Sequence, residues 1–315
     1  MLLALLISAA LPATAQDGYF RRALTVSGAV ELNIENNSGD IVVHDGPPGS
    51  VTVIGRIRIK NSLFSGGDLQ GRIRQLESNP PLLHNGNRIR IEPIRDIALS
   101  RRLSIHYELV VPAETRMASR TGSGDQTVEG LRGPIRLHTG SGDLKLTSIG
   151  GDIEVDTGSG DVTLEDIRAG AQAQTGSGDI RAMGIRGGLR ARTGSGDVRL
   201  RQLDGGPIVV STGSGEVHMS DIVGALEAST GSGDIRVEGE PTGPWKIHAG
   251  SGDVLLRIPF DVGFQLDAET TSGRIQTDRP MQHTRSAGRT RVHGTVGDGS
   301  VSLTVRTGSG DIEIR

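Results

Sequence analysis

The phrase Thr-Gly-Ser-Gly-Asp recurs through the middle of this chain at a spacing that leaves few folds open. Copies begin at Thr121, Thr139, Thr157, Thr175, Thr193, Thr212 and Thr230, then at Ala249, which stands where the others have Thr; successive starts lie 18 or 19 residues apart. A fixed period of this size makes each repeat one structural unit that buries its apolar side only by stacking on the next, so the chain is expected to be a solenoid.

Counting from the acidic residue that ends each phrase gives columns. One position on stand Gln126, Leu144, Val162, Ile180, Val198, Val217, Ile235 and Val254; three positions on stand Val128, Leu146, Leu164, Ala182, Leu200, Met219, Val237 and Leu256. Lys145, Arg181, Arg199, His218 and Arg236 lie between them, which is the alternation of a half-buried strand. A third column, six positions on, is Leu131, Ile149, Ile167, Ile185, Leu203 and Ile222, and a second alternating run follows, as in Ile135 and Leu137 or Ile153 and Val155. The expected fold is therefore all-β: a single-stranded parallel β-solenoid of about ten coils, each of two short strands and two bends, near 50 Å long and right-handed. The chain has 47 Gly. Because they recur with the repeat, they argue for corners and against disorder, and Gly122, Gly124 and their counterparts are expected to supply positive φ angles.

The rest of the chain divides around the array. Residues 1–16 read as a signal peptide, with an apolar run from Leu2 to Leu11 before Ala13-Thr14-Ala15. Residues 17–120 read as an N-terminal capping section with the first irregular coils; Asn37-Ser38-Gly39-Asp40 is a degenerate copy of the phrase, and Asp68 to Glu77 reads as one short amphipathic helix stopped by Pro80-Pro81. That helix is expected to cap the open end of the stack. Residues 121–260 are the regular repeats. Residues 261–315 read as irregular C-terminal coils and a closing strand: Phe260, Phe264 and Leu266 are expected to form a bulkier core layer, Gln276 to Asp298 a polar excursion, and Thr307 to Asp311 a restored phrase that closes the stack.

Composition narrows the function. With no Cys the chain can form neither a disulfide nor a lipoprotein anchor, and no later apolar run is long enough for a transmembrane segment. Export to the periplasm, outer surface or medium follows from the signal peptide. A net charge of -3 argues against a nucleic-acid partner. Arg181, Arg190, Arg192, Arg199 and Arg201 cluster on two adjoining repeats and read as a solvated strand face, while 2% aromatic residues are too few to stack sugars along the coils.

The chemically pointed feature is an acidic column, Asp125, Asp143, Asp161, Asp179, Asp197, Glu216, Asp234 and Asp253, with Asp311 in the restored phrase. Carboxylates about 5 Å apart repel by about 1 kcal/mol per neighbour in water, so something must offset them. The expectation is a structural turn ladder in which each carboxylate accepts from N–H groups of its own bend. Calcium is the alternative. In calcium-binding nonapeptide repeats, however, a residue separates Gly from Asp, and one carboxylate per bend supplies few of the six or more oxygens a calcium ion needs. The Thr and Ser columns are expected to hydrogen-bond along the stack. No Gly-x-Ser-x-Gly elbow is present and the eight His show no metal-ligand spacing, so no catalytic residue, metal or cofactor is expected.

Repeated Ser-Gly-Asp before alternating apolar residues, behind a signal peptide and an opening section that ends in Val110-Val111-Pro112, resembles the bacterial family of domains of unknown function provisionally called adhesins. It is similar to the toast-rack domains of cell-envelope stress systems and to autotransporter-adhesin head domains. The resemblance implies a secreted or envelope-associated β-solenoid with no established catalytic residues. The function expected is thus a non-enzymatic exported adhesion or envelope scaffold whose partner is an envelope or surface protein or polymer. An envelope-stress sensing scaffold, a calcium-binding repeat protein and a polysaccharide-active β-helix enzyme are the alternatives.

Overall fold

The computed structural model describes residues 18–60, 68–286 and 289–315, so the signal-peptide reading of residues 1–16 lies outside it. Each repeat contributes one strand to each of two sheets. The strand after the acidic residue joins sheet I, of 14 strands among the described residues, and the strand leading into the phrase joins sheet II, of 15. Within the array neighbouring strands are parallel, and in register except for one-residue shifts after Met183 and after Met219, as in Leu144 with Val162 and Ile180 on sheet I and Ile153 with Ala171 and Leu189 on sheet II. The apolar columns face each other between the sheets and are buried along the whole stack. Burial of these columns supplies the main driving force, because strands this short do not persist alone.

The third column departs from its expected membership once. Where the repeat lengthens to 19 residues the register shifts, and Ile185 pairs with Gln202. Gln202 is fully buried while Leu203 is 52% exposed. Its amide earns that place, donating to the Gly206 carbonyl at 2.9 Å and accepting from the Val223 N–H at 3.0 Å. Phe260 is a second departure: it stands 77% exposed, under the Arg279 guanidinium at 4.7 Å, and Phe264 and Leu266 fill the core without it.

The glycines of the phrase serve close approach more than positive φ. Gly124 (φ 135°) and Gly252 (φ 143°) do occupy that region, whereas Gly122 and its counterparts do not. A Cβ on Gly176 would lie 2.5 Å from the Gly158 carbonyl oxygen of the preceding coil, and one on Gly178 would lie 1.9 Å from that of Gly160. Neighbouring corners therefore nest backbone on backbone, and any side chain there would push the coils apart.

Both ends of the stack are tucked in. The Asn37-Ser38-Gly39-Asp40 coil packs against the Thr121 coil, with Ser38 opposite Ser123 and Ile41 opposite Gln126, and later residues lie outside it: Arg88–Ile91 on sheet II and Leu103–Pro112 on sheet I. Antiparallel strands Ser50–Ile59, Gly18–Thr25 and Leu82–Asn85 finish that end. The expected helix is present as Leu69–Ser78 with Asp68 accepting from the Gly71 N–H, and it covers the edge strand: Ile73 packs on Gly18 and the Glu77 carboxylate accepts the Tyr19 N–H at 2.8 Å. A second helix, Ile97–Ser100, has too little pattern to read from sequence.

At the other end the restored phrase does not close the stack. Val301–Ser309 and Ile312–Ile314 slot between the Trp245–Arg257 coil and the Phe264–Thr277 coil, with Leu303 opposite both Trp245 and Leu266. The polar stretch expected as an excursion forms the antiparallel strands Met281–Ser286 and Arg291–Val296, which extend sheet II beyond it. No helix among the described residues is long and apolar enough to cross a membrane.

Gly178→Ala should cost about 1–3 kcal/mol through forced separation of the corners, whereas Ser177→Ala, at an exposed position, should stay within about 0.5 kcal/mol. Urea unfolding of both variants reads the difference, and matching midpoints would remove the close-approach account.

Candidate functional site: the acidic ladder and the sheet faces

The acidic column forms a ladder, but its donors are not the ones expected. Every aspartate of the column accepts from the backbone N–H of the equivalent residue in the coil stacked next to it, not from its own bend. Asp125 Oδ1 accepts from the Asp143 N–H at 2.9 Å, Asp143 from Asp161 at 2.8 Å, Asp161 from Asp179 at 2.9 Å, Asp179 from Asp197 at 2.9 Å and Asp197 from Glu216 at 2.9 Å. Beyond Glu216, Asp234 takes the Asp253 N–H at 2.9 Å and Asp253 takes that of Asp311 at 2.8 Å. Glu216 is the missing rung: its longer side chain accepts from Arg236 Nη1 at 3.0 Å, and no bond to it from the Asp234 N–H exists among the described residues. The ladder also runs past the expected residues, since Asp40 accepts from the Asp125 N–H at 3.1 Å.

The second carboxylate oxygen takes up the charge. Arg181 bridges Asp161 at 2.8 Å and Asp179 at 2.7 Å, Arg199 holds Asp197 at 3.0 Å and lies 3.6 Å from Asp179, and Arg236 holds Asp234 at 2.8 Å as well as Glu216. Both ends of the row meet a base, His106 against Asp40 at 3.1 Å and Arg274 against Asp311 at 3.2 Å. The Asp179 N–H, and then Arg181, hold the Asp161 carboxyl below the usual range; the Arg274 N–H and guanidinium do so for Asp311, and His106 with the Asp125 N–H for Asp40. An Arg two residues after the acid was a readable signal for this bridging. The inter-coil donor was not, because register decides it.

Beneath the acids, buried Thr side chains knit the same corners. Thr157, Thr175 and Thr193 donate to the carbonyls of Gly142, Gly160 and Gly178 in the preceding coil at 2.9, 2.8 and 2.8 Å. The Ser column does not share this role; Ser141, Ser159, Ser177 and Ser195 are exposed along the corner.

The arginine cluster is split by the fold. Arg181, Arg199 and Arg201 stand on the outer face of sheet I with carboxylate partners, Arg201 with Asp221 at 2.7 Å. Arg190 and Arg192 stand on the outer face of sheet II. On that second face a hollow of about 380 Å³ forms where Ala118 leaves a gap, lined among others by Asn33, Glu35, Arg120, Arg136 and Glu154. Its carboxylates are engaged: Glu35 with Arg90 at 3.3 Å, Glu154 with Arg136 at 3.0 Å and Asp156 with His138 at 3.2 Å. Among the described residues no three His, Asp or Glu side chains gather as a metal site.

These features define an all-β solenoid of two parallel sheets whose corners are locked by a Thr and Asp ladder. The chain belongs to the Toastrack DUF4097 family, whose model matches residues 111–184 and 151–315. Solved structures similar to it include a provisionally described cell adhesion protein from Clostridium sporogenes, with 10% identity, 94% of this chain and 98% of that one covered, and a TM-score of 0.24. Two others are provisionally described adhesins. The one from Bacteroides fragilis has 13% identity, coverage of 94% and 97% and a TM-score of 0.31; that from Parabacteroides distasonis has 12%, 95% and 98%, and 0.41. No curated protein matches the chain.

Two outcomes test the ladder. Asp179→Ala removes the acceptor of the Asp197 N–H and should cost about 1–3 kcal/mol, whereas Asp179→Asn keeps an acceptor and should cost less; the order of their unfolding midpoints decides. Because Asp40, Asp161 and Asp311 bind protons less readily when folded, their contribution is present above the ordinary carboxyl value of 3.8 and is lost as pH falls through the lowered folded values. The melting temperature should therefore hold between neutrality and about pH 5 and drop below about pH 4.

Proposed function

We propose that this chain is a non-enzymatic, exported adhesion or cell-envelope scaffold module. The observation that carries the reading is the in-register stacking of coils, which repeats one surface geometry at about 4.8 Å intervals on two outer faces and a corner ridge. A polymer or multivalent partner then meets many equivalent contacts, and weak contacts multiply when linked. Membership of the Toastrack family supports a module of this kind, and the engagement of the hollow's carboxylates with neighbouring bases favours binding over hydrolysis. The family match also favours a second reading, a scaffold in an envelope-stress system, over the calcium and enzyme alternatives. Genomic neighbours encoding sensor kinases or anti-sigma factors would select it.

The test is retention of envelope material on the immobilised chain, with a β-solenoid of another family and similar net charge as control. Specific retention of a polymer or surface protein is expected; retention equal to the control sinks the adhesion and scaffold readings together.

A further inference from the structure

We infer that Arg190 and Arg192, on the outer face of sheet II, form a binding strip for an acidic polysaccharide, a linear glycan of carboxylate-bearing sugars. The inference rests on the adhesion reading above and names its ligand class. As alternate residues of one strand the two arginines share a face, with Cα atoms roughly 6.6 Å apart. Register sets their neighbours: Arg190 lies between Gln172 and Val209, and Arg192 between Gln174 and Ser211.

This setting differs from that of Arg136 on the same face and of several arginines on the outer face of sheet I. Arg136, Arg181, Arg201 and Arg236 each meet a carboxylate from an adjacent coil, whereas Arg190 and Arg192 have neither an ion pair nor a side-chain hydrogen bond to any described residue. Two uncompensated guanidinium groups thus stand side by side between uncharged columns. Each presents the planar fork that grips a carboxylate bidentately.

The surface beside them is shaped. A hollow of about 390 Å³ opens where Gly170 and Gly188 carry no side chains, walled by Asp152, Gln172, Arg190 and Val209. Asp152 lies two strands from Arg190. Its carboxylate would repel a ligand that is only anionic and would accept a hydrogen bond from a hydroxyl, as the Gln172 amide can. A ligand with hydroxyls at one side and a carboxylate at the other satisfies both, and a uronate sugar has that form. An acidic peptide docks less well, because extended peptides pair through strand edges and the middle of a sheet face offers none. Neutral glycans would need aromatic platforms, and no aromatic residue stands in these columns.

The probe is polygalacturonate, with binding to the purified chain followed by biolayer interferometry at low and physiological salt. Wild type should bind, more weakly as salt rises, and dextran should not bind. The double variant Arg190→Gln and Arg192→Gln, which places in this strand the residue already standing at both positions of the neighbouring one, should raise Kd by about tenfold or more, since it removes two charge-assisted contacts. Arg136→Gln, whose guanidinium is already engaged, should leave Kd within about twofold. Equal binding of polygalacturonate by the double variant and wild type overturns the inference, as does binding of polyglutamate as tight as that of polygalacturonate. If wild type and double variant retain the same envelope material, this strip is refuted while the adhesion reading stands.

Discussion

One hydrogen bond, repeated at every acidic corner but that after Glu216, sets the geometry of this protein: the N–H of the corner residue donates to the carboxylate of the corner before it. Such a bond forms only if the two corners are one strand spacing apart and in register, so it fixes both the distance between coils and their alignment. The glycines make it possible by letting corner backbones touch, and the Thr hydroxyls add a parallel row of bonds below. A row of like charges that ought to push the coils apart instead ties them together. One oxygen of each aspartate is turned to the backbone, and where an Arg stands two residues on, the other oxygen is shared with it.

Everything outside the corners follows from the sheets that this alignment produces. The inward columns merge into one continuous core, and the outward columns become two long faces whose chemistry varies coil by coil. Complementary neighbours on these faces, such as Arg136 and Glu154, neutralise each other. Where the sequence sets Arg190 and Arg192 beside Gln, Val and Ser, a face keeps uncompensated charge.

Much of this was legible because the period of the repeat and the period of the strand are both short and exact in the sequence. The columns that contain Leu144 and Leu146 could be read as inward from the sequence, and so could the helix behind Asp68. What the sequence hid were matters of register and of order in the stack. Leu203 sits where the column pattern places an inward residue, yet that coil has no counterpart of the bulge residue Gly184, so the place falls one residue earlier, to Gln202. Arg181, Arg190, Arg192, Arg199 and Arg201 look like one cluster along the chain, yet the bends on either side of strand Leu189–Thr193 send Arg190 and Arg192 to the opposite face. The acidic ladder was visible as a column, while the identity of its donors depended on which backbone the next coil brings near.

The intercalated coil at residues 301–314 means that order of synthesis and order of stacking disagree. Strand Phe264–Ser272 is made before the strand that will separate it from Trp245–Ser251, so its final inner neighbour does not yet exist when it emerges. The array can zip up coil by coil as far as residue 257, each step joining segments 18 or 19 residues apart, but the far end has to wait and then accept a late insert. The last coil in the sequence is therefore not the last coil in the stack. The time between the two events is the interval in which an unfinished molecule offers an open coil to anything that carries the same repeat.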